Sequence, residues 1–214
     1  MLPLALSAFG NASTVLCIGA HCDDVEIGCG ATLVRLAREH PQLSFVWGIF
    51  AGSPARELES RAAAAALVPA ERLDLRFFRF RESYFPSQHD QIKDAIETLK
   101  VVKPQLILTH RLEDRHQDHR VLAELTWNTF RSHLILEYEI PKYDADLGQP
   151  NFFVPLSLAD VDYKVATLHQ SFPSQHARAW FTPETFRALA RIRGIECAAP
   201  GGYAEAFHAR KICV

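Results

Sequence analysis

The sequence predicts an α/β protein in which helices cover both faces of a mostly parallel sheet, giving three layers. Short apolar, β-prone runs alternate with segments whose apolar residues recur at helical spacing. Strands that alternate with helices in this way form parallel sheets with both faces buried. The composition, 48% hydrophobic and 22% charged, is that of a folded globular protein. We expect a single domain over residues 1–214.

The first two strand and helix pairs repeat the same unit. Residues 15–19 (VLCIG) predict a buried strand, and residues 30–40 (GATLVRLAREH) predict a helix that Pro41 closes. Residues 43–50 (LSFVWGIF) predict a second strand. The alanine-rich residues 54–68 predict a second helix, which begins with a proline in its first turn.

Two further pairs extend this pattern. Residues 73–80 (LDLRFFRF) predict a third strand, and residues 90–102 predict an amphipathic helix that ends before Pro104. Residues 105–109 (QLILT) predict a fourth strand, and a fourth helix follows over residues 120–130. Four such units in succession are typical of a Rossmann-like fold.

The pattern after the fourth helix is less regular. The irregular residues 142–155 are expected to form part of a pocket rim. Residues 206–214 (AFHARKICV) predict a last strand at the edge of the sheet. The other expected elements are strands over residues 134–140 and 152–155 and helices over residues 160–168 and 183–193.

Two polar loops follow strands of the predicted sheet. GAHCDDVEIGCG, residues 19–30, follows the first strand, and HRLEDRHQDH, residues 110–119, follows the fourth. Ligands of open α/β sheets bind at the carboxyl ends of the strands, so we expect the two loops to form one site. Their ionisable residues are His21, Asp23, Asp24, Glu26, His110, Asp114, His116, Asp118 and His119.

These residue types predict a catalytic metal site. Imidazole and carboxylate groups are the ligands of catalytic zinc, which takes three protein ligands and keeps one position open for water. A nearby carboxylate that does not bind the metal would take the proton of that water. The adjacent Asp23 and Asp24 suit this division of labour. Any single histidine here could equally be a hydrogen-bonded or surface imidazole, and it is the clustering at two strand ends that favours a metal.

The two loops resemble the motifs of the PIG-L/LmbE-like zinc-dependent N-deacetylases. The first family motif, A-H-P-D-D followed by an acidic residue and G-x-G, matches AHCDDVEIGCG at residues 20–30. The second, H-x-D-H, matches HQDH at residues 116–119. The resemblance continues through FPSQ at 172–175, RIRG at 191–194 and GYAEAF at 202–207, although these tail motifs could simply serve packing.

The resemblance assigns a role to each residue of the two motifs. It implies zinc as the cofactor, although iron(II) or another divalent ion would also suit these ligands. By this resemblance His21, Asp24 and His119 hold the metal, Asp23 is the general base and later the acid, and His116, oriented by Asp118, stabilises the tetrahedral oxyanion.

Other residues have weaker assignments. Arg56 stands where family members often have an arginine, and it would contact a substrate hydroxyl or phosphate, or be a solvated residue near a helix start. Glu26 would orient a ligand histidine or cap the following turn. Asp114 and His110 are candidates for support behind the ligands. Cys22 replaces the usual proline, as a spectator thiol, an oxidation-sensitive group or a stray ligand.

The resemblance implies a hydrolase that removes the acetyl group from an N-acetylated amino sugar or its conjugate, releasing a free amine and acetate. The main alternative is a non-catalytic α/β module that binds a small molecule and a metal. A dinucleotide-binding enzyme is disfavoured because the G-x-G at residues 28–30 lacks the third glycine. A cysteine hydrolase is disfavoured because two aspartates follow Cys22 and would raise the pKa of its thiol.

Charge and cysteine content bound the partners and the compartment. The net charge of −2 gives no global reason to bind nucleic acid or an anionic membrane. The apolar MLPLALSAFG at residues 1–10 is too short to span a bilayer. Five cysteines without a C-x-x-C pair predict a reducing, cytoplasmic setting. The resemblance further implies association into a homo-oligomer.

Overall fold

The fold is a seven-stranded sheet with helices on both faces, in a computed structural model that describes residues 13–212. The strand order is β3-β2-β1-β4-β5-β7-β6. Strands β1 to β5 run parallel to one another, whereas β7 runs antiparallel to both β5 and β6. The strands are β1 (Thr14–Gly19), β2 (Ser44–Ile49), β3 (Leu73–Phe77), β4 (Leu106–His110), β5 (Leu134–Tyr138), β6 (Phe152–Leu156) and β7 (Tyr203–Ala209).

The helices divide between the two faces of the sheet. The larger apolar cluster holds α1, α2, α5 and α6 against one face, and a second cluster holds α3 and α4 against the other. Successive residues of β1 alternate between the clusters, with Cys17 in the first and Ile18 in the second. This arrangement confirms the predicted three-layer α/β fold. The helices are α1 (Asp24–Glu39), α2 (Pro54–Leu67), α3 (His89–Thr98), α4 (Gln117–Thr129), α5 (Leu158–Ser171) and α6 (Pro183–Glu196).

Two helices begin earlier than the apolar periodicity predicts. Helix α1 starts at Asp24 rather than at residue 30, with Asp23 as its N-cap residue. Helix α4 starts at Gln117, because the side chain of His116 accepts a hydrogen bond from the backbone N–H of Asp118. Both polar motifs therefore lie partly on helices and not wholly in loops.

The last strand of the chain does not lie at the edge of the sheet, so that part of the prediction is wrong. Strand β7 lies inside the sheet, between β5 and β6, and β6 forms the edge. Pro155 explains the order, because a residue without a backbone N–H is tolerated at a sheet edge. Residues 213–214 of that prediction lie outside the described residues.

The sheet topology brings the two polar motifs together. Strands β1 and β4 are direct neighbours, so the segments that follow their carboxyl ends meet at one edge of the sheet. Strands β2 and β3 also end at this edge, so the segments that follow them begin there. None of the helices within residues 13–212 is both long and apolar enough to cross a bilayer.

Candidate metal and catalytic site

Three side chains of the two motifs converge on one point. The Nδ1 atom of His21 lies 3.2 Å from Nε2 of His119 and 3.4 Å from Oδ2 of Asp24. Nε2 of His119 lies 3.6 Å from Oδ1 of Asp24. A tetrahedral zinc ion with bonds of about 2.0–2.1 Å would hold its ligand atoms about 3.3 Å apart. The two imidazole nitrogens therefore have the spacing that such an ion requires, and each of them lies at about that distance from one oxygen of the Asp24 carboxylate.

The local backbone explains how these donors are held. The backbone N–H of His21 donates to Oδ2 of Asp24 at 2.7 Å, which fixes the carboxylate at the first turn of α1. The positive end of a helix dipole favours a carboxylate at that position. His119 lies in the first turn of α4, and all three residues are buried.

The charge of this trio also fits a cation. Burial lowers the pKa of His21, but the charge of Asp24 and hydrogen bonds to Asp118 and Asp24 raise it to about 10. Burial, together with the neighbouring imidazole of His110, lowers the pKa of His119 to about 3. His21 therefore carries a proton beside the Asp24 carboxylate, and a metal ion bound here would displace that proton.

His116 lies beside the trio as a neutral imidazole. Its ring centre is 5.0 Å from that of His21 and 4.6 Å from that of His119. Burial and the charge of His21 lower the pKa of His116. Its Nδ1 accepts the N–H of Asp118, so the proton of the neutral ring is on Nε2. His116 also forms a candidate metal-binding group with His21 and His119.

Asp114 lies directly behind the trio. Its Oδ2 is 3.0 Å from Nδ1 of His119, and its Oδ1 accepts the backbone N–H of His116 at 2.8 Å. Lys142 donates to the same Oδ2 at 3.0 Å. Burial raises the pKa of Asp114, but the hydrogen bond to His119 and nearby positive charges hold it below its usual range. A carboxylate in this position fixes the tautomer and direction of a ligand histidine.

Asp118 contacts a different histidine from the predicted one. Its Oδ2 lies 3.3 Å from Nε2 of His21, and its carboxylate accepts the backbone N–H groups of Ser83 and Phe85 at 2.6 and 3.2 Å. The prediction that this carboxylate orients the ring of His116 is wrong. Because α4 begins at Gln117, the Asp118 side chain points toward the segment after β3, and only its backbone N–H contacts His116.

His110 supports the trio from the end of β4. Its ring stacks on His119 with centres 3.9 Å apart, and its Nε2 lies 3.1 Å from Oδ2 of Asp24. These three residues also form a candidate metal-binding group. The backbone N–H of Ala20 donates to Nε2 of His110 at 2.9 Å, however, and occupies the lone pair that a metal would need.

Asp23 lies outside the trio and is held by Arg56. Nη2 of Arg56 donates to Oδ1 of Asp23 at 2.6 Å, and Nη1 lies 3.7 Å from the half-exposed carboxylate of Glu82. Burial raises the pKa of Asp23, and the charge of Arg56 opposes that effect. Arg56, which the sequence predicted to contact substrate or to be solvated, thus contacts the predicted base.

Cys22 and Glu26 both point away from the donor atoms. Burial raises the pKa of Cys22 to about 12, and its Sγ faces the backbone carbonyl of Ala51 at 3.6 Å. Glu26 is fully buried and accepts a hydrogen bond from the hydroxyl of Ser60 at 3.1 Å. The prediction that Glu26 orients a ligand histidine is wrong, because the early start of α1 turns its side chain toward α2.

The RIRG and FPSQ motifs of the tail stabilise the fold by an ion pair and by packing. Arg193 of RIRG donates to both carboxylate oxygens of Glu139 at 2.9 and 2.6 Å. Gly194 lies so close to the backbone of Gly202 that an added Cβ would come within 2.3 Å of its carbonyl oxygen. Phe172 of FPSQ is fully buried.

Lys142, which holds Asp114, carries no motif signal in the sequence. It belongs to the irregular segment that was expected at the pocket rim, and only its proximity to two acids would have identified it. Asp146, four residues along, accepts a second hydrogen bond from its Nζ at 2.6 Å.

Comparison with known proteins places the chain among deacetylases and related folds. The uncharacterized deacetylase YaiS of Escherichia coli (strain K12) is 32% identical over 151 residues, which are 64% of this chain and 78% of YaiS. The N,N'-diacetylchitobiose deacetylase from Pyrococcus horikoshii superposes with a TM-score of 0.71 at 20% identity, over 93% of this chain and 84% of that chain.

A protein of another activity shares the fold. GalB, the 4-carboxy-2-hydroxymuconate hydratase from Pseudomonas putida KT2440, gives a TM-score of 0.71 at 17% identity, over 94% of this chain and 98% of that chain. At such identities a structural likeness shows a common fold and not a common reaction.

The family itself is shown by sequence. The family model of PIG-L, GlcNAc-PI de-N-acetylase, matches residues 16–130, more than half of the chain. Both polar motifs lie inside that match. The resemblance predicted from those motifs is confirmed, and the chain belongs to the PIG-L family.

Proposed function

We propose that this chain is a metal-dependent N-deacetylase that hydrolyses the acetamide of an N-acetylated amino sugar or sugar conjugate to a free amine and acetate. The observation that carries this proposal is that two histidines and one aspartate lie close enough together to bind one metal ion, beside the separate carboxylate of Asp23. A purely structural metal site has no need of an unbound acid beside it. This argues for the enzyme over the non-catalytic binding module.

His21, Asp24 and His119 would hold the metal, with zinc as the expected ion. When bound, zinc supplies Lewis acidity that polarises the amide carbonyl and lowers the pKa of water from 15.7 to about 7. Behind the ligands, Asp114 fixes His119 and Asp118 fixes His21 by contacts at 3.0 and 3.3 Å. Such contacts keep each imidazole turned toward the ion.

The remaining steps belong to residues of the chain. Asp23, fixed by Arg56, accepts a proton from water as the water oxygen bonds to the carbonyl carbon. The Nε2–H of His116 donates to the oxyanion that forms. Asp23 then returns the proton to the nitrogen as the C–N bond breaks. Acetate and a free amine leave.

The amino-sugar substrate is supported by the family and by its relatives. The matching family model is that of GlcNAc-PI de-N-acetylase, and one structural neighbour is a deacetylase of N,N'-diacetylchitobiose. The hydratase of the same fold is a reminder that the reaction depends on the groups around the ion. Those groups are the buried carboxylate of Asp23 and the neutral imidazole of His116, which carries its proton on Nε2. They suit the transfer of an acyl group from nitrogen to water.

The test is acetate release from a panel of N-acetylated sugars, nucleotide sugars and sugar conjugates, with zinc content measured on the same samples. We expect Asp23→Asn to keep its zinc and to lose roughly 10²–10⁴-fold in kcat. Asp94→Asn, at an exposed position of α3, is the matched control and should behave as wild type. Wild-type protein that contains zinc and releases no acetate from any class would contradict the proposal.

A further inference from the structure

Helix α1 is broken five residues after the metal-ligand candidate Asp24. Cys29 has φ −147° and ψ 15°, outside the helical range, although the helix continues to Glu39. A break of this kind removes backbone partners on both sides of it, because the N–H of residue i no longer reaches the carbonyl of residue i−4. The carbonyl of Ile27 and the N–H groups of Ala31 and Thr32, which lie around this break, take side-chain partners.

Two side chains from the far end of the chain fill the break. Glu205 of β7 accepts the N–H of Ala31 at 3.1 Å and that of Thr32 at 2.6 Å. Lys164 of α5 donates to the carbonyl of Ile27 at 2.5 Å and to Glu205 at 2.6 Å. Both side chains are about nine-tenths buried.

The geometry is that of a helix N-cap supplied from elsewhere in the fold. An N-cap side chain normally belongs to the residue before the first turn and accepts the N–H groups of the second or third helical residue. Here Cys29 occupies that place without an oxygen, and Glu205 supplies the acceptor from more than 170 residues away. A carboxylate is the favoured group at this end of a helix.

The first turn of α1 is therefore a separate short segment, residues 24–28, with its own supports. On one side Gly28 packs so closely on Tyr138 that an added Cβ would lie 2.3 Å from the ring. At its end Lys164 binds the carbonyl of Ile27. At its beginning Asp24 faces His21 and His119.

We propose that Glu205 and Lys164 are positioning residues of the metal site: they complete the break in α1 and thereby set the direction of the turn that carries Asp24. This inference rests on the metal site of the proposed function. It assigns the GYAEAF segment, which contains Glu205, a part in metal binding that its distance from the ligands in sequence conceals.

The experiment measures the zinc affinity of folded protein by competition with a chelator of known affinity. We expect Glu205→Gln to weaken zinc binding about tenfold, the lower end for residues that support a ligand from behind. Lys164→Met should weaken it in the same direction, and Lys164→Arg should restore most of the loss. Circular dichroism at the assay temperature verifies that each variant is folded. If Glu205→Gln does not fold, the zinc affinity of Lys164→Met decides the test.

The matched control is Asp160→Asn. Asp160 also lies on α5 and ties it to α1, but through Arg38 in the last turn, far from the break. We expect this variant to lose thermal stability and to keep wild-type zinc affinity. Zinc binding that is unchanged in the folded Lys164 and Glu205 variants, or weakened equally by Asp160→Asn, would overturn the inference, as would wild-type protein that binds no zinc.

The two proposals fail separately. Weakened zinc binding in the variants, with no acetate released by wild type, would contradict the deacetylase and leave the positioning role. Acetate release by wild type, with unchanged zinc affinity in the variants, would support the deacetylase and contradict the positioning role.

Discussion

Adjacent aspartates at the start of α1 stand in opposite electrostatic environments. Burial raises the pKa of both carboxylates, but the neighbouring imidazoles of His119, His110 and His21 hold that of Asp24 well below its usual range. The pKa of Asp23 is raised on balance. Neighbouring groups whose pKa values are pushed apart mark a division of roles. Asp24 is suited to bind a cation, and Asp23 is suited to exchange a proton.

The contact between Arg56 and Asp23 leads to a prediction about kinetics. Arg56→Gln should lower kcat by about 10–100-fold with little change in KM, because it removes a hydrogen bond between charged groups that holds the base. Steady-state kinetics of acetate release measure both constants. Arg79→Gln is the control. Arg79 is mostly exposed and pairs with Glu57, which lies on α2 next to Arg56. A rise in KM alone would favour the substrate-binding role that the sequence suggested.

Cys22 provides a second test at this scale. Burial raises the pKa of its thiol to about 12, so the thiolate that a nucleophile requires is scarce at neutral pH. We expect Cys22→Ala to keep acetate release within about twofold of wild type, and iodoacetamide to leave native Cys22 unmodified as judged by peptide mass. Loss of turnover in Cys22→Ala with a normal zinc content would return the cysteine hydrolase to consideration.

Sequence reasoning succeeded for residue types and was less successful for side-chain directions. The loop order placed the three candidate ligands at adjacent strand ends, and the structure brings their donor atoms together. Asp118 was assigned to the wrong imidazole, and of the two roles predicted for Glu26 only the place in the first helix turn fits, because a side chain's direction depends on where its helix begins. Helix α4 begins after the His116 cap and helix α1 begins after Asp23, and apolar periodicity detects neither start.

At the scale of elements, the parallel half of the sheet was predictable and the antiparallel part was not. Each strand and helix pair before residue 130 has a local signal, and a right-handed crossover then leaves few topologies. The place of β7 depends instead on pairing with β5 and β6, whose residues are distant in sequence. Local patterns cannot rank those pairings, so the edge assignment of this strand was wrong.

The start of α5 gives a prediction about stability and pH. Asp160 forms a capping box with Ser157 and accepts hydrogen bonds from Arg38. The hydrogen bond from Arg38 is the largest cause of the lowered pKa of Asp160. A lowered pKa stabilises the fold above the unfolded value of about 3.9 and loses that contribution as the pH falls through the folded value. Asp160→Asn should therefore cost about 1 kcal/mol at pH 7.

Urea unfolding at two pH values measures this effect. The difference between wild type and Asp160→Asn should be present at pH 7 and shrink toward zero at the most acid pH where both proteins still fold. Asp162→Asn, at a half-exposed position of the same helix where the carboxylate pairs with Arg187 at 2.9 Å, is the control. A difference that stays constant with pH would mean that the carboxylate charge plays no part.

At the scale of the whole molecule, one part of the chain contributes the candidate ligands and another part contributes side chains that support them. The family match covers residues 16–130 and contains every candidate ligand. Lys142, Lys164 and Glu205 come from the remaining part and support the ligands or the helix that carries one. Zinc binding and the stability of the complete fold should therefore be linked.

That linkage predicts that zinc raises the melting temperature. A ligand that binds only the folded state stabilises it by about 2.7 kcal/mol at a hundred times its dissociation constant, which for a chain of this size is roughly 5–10 °C. Thermal unfolding with added zinc, compared with chelator-treated protein, measures the shift. His119→Ala should abolish it, whereas His169→Ala, at an exposed position of α5, should keep it. An equal shift in His119→Ala would mean that zinc binds elsewhere, and the trio would lose its assignment as the metal site.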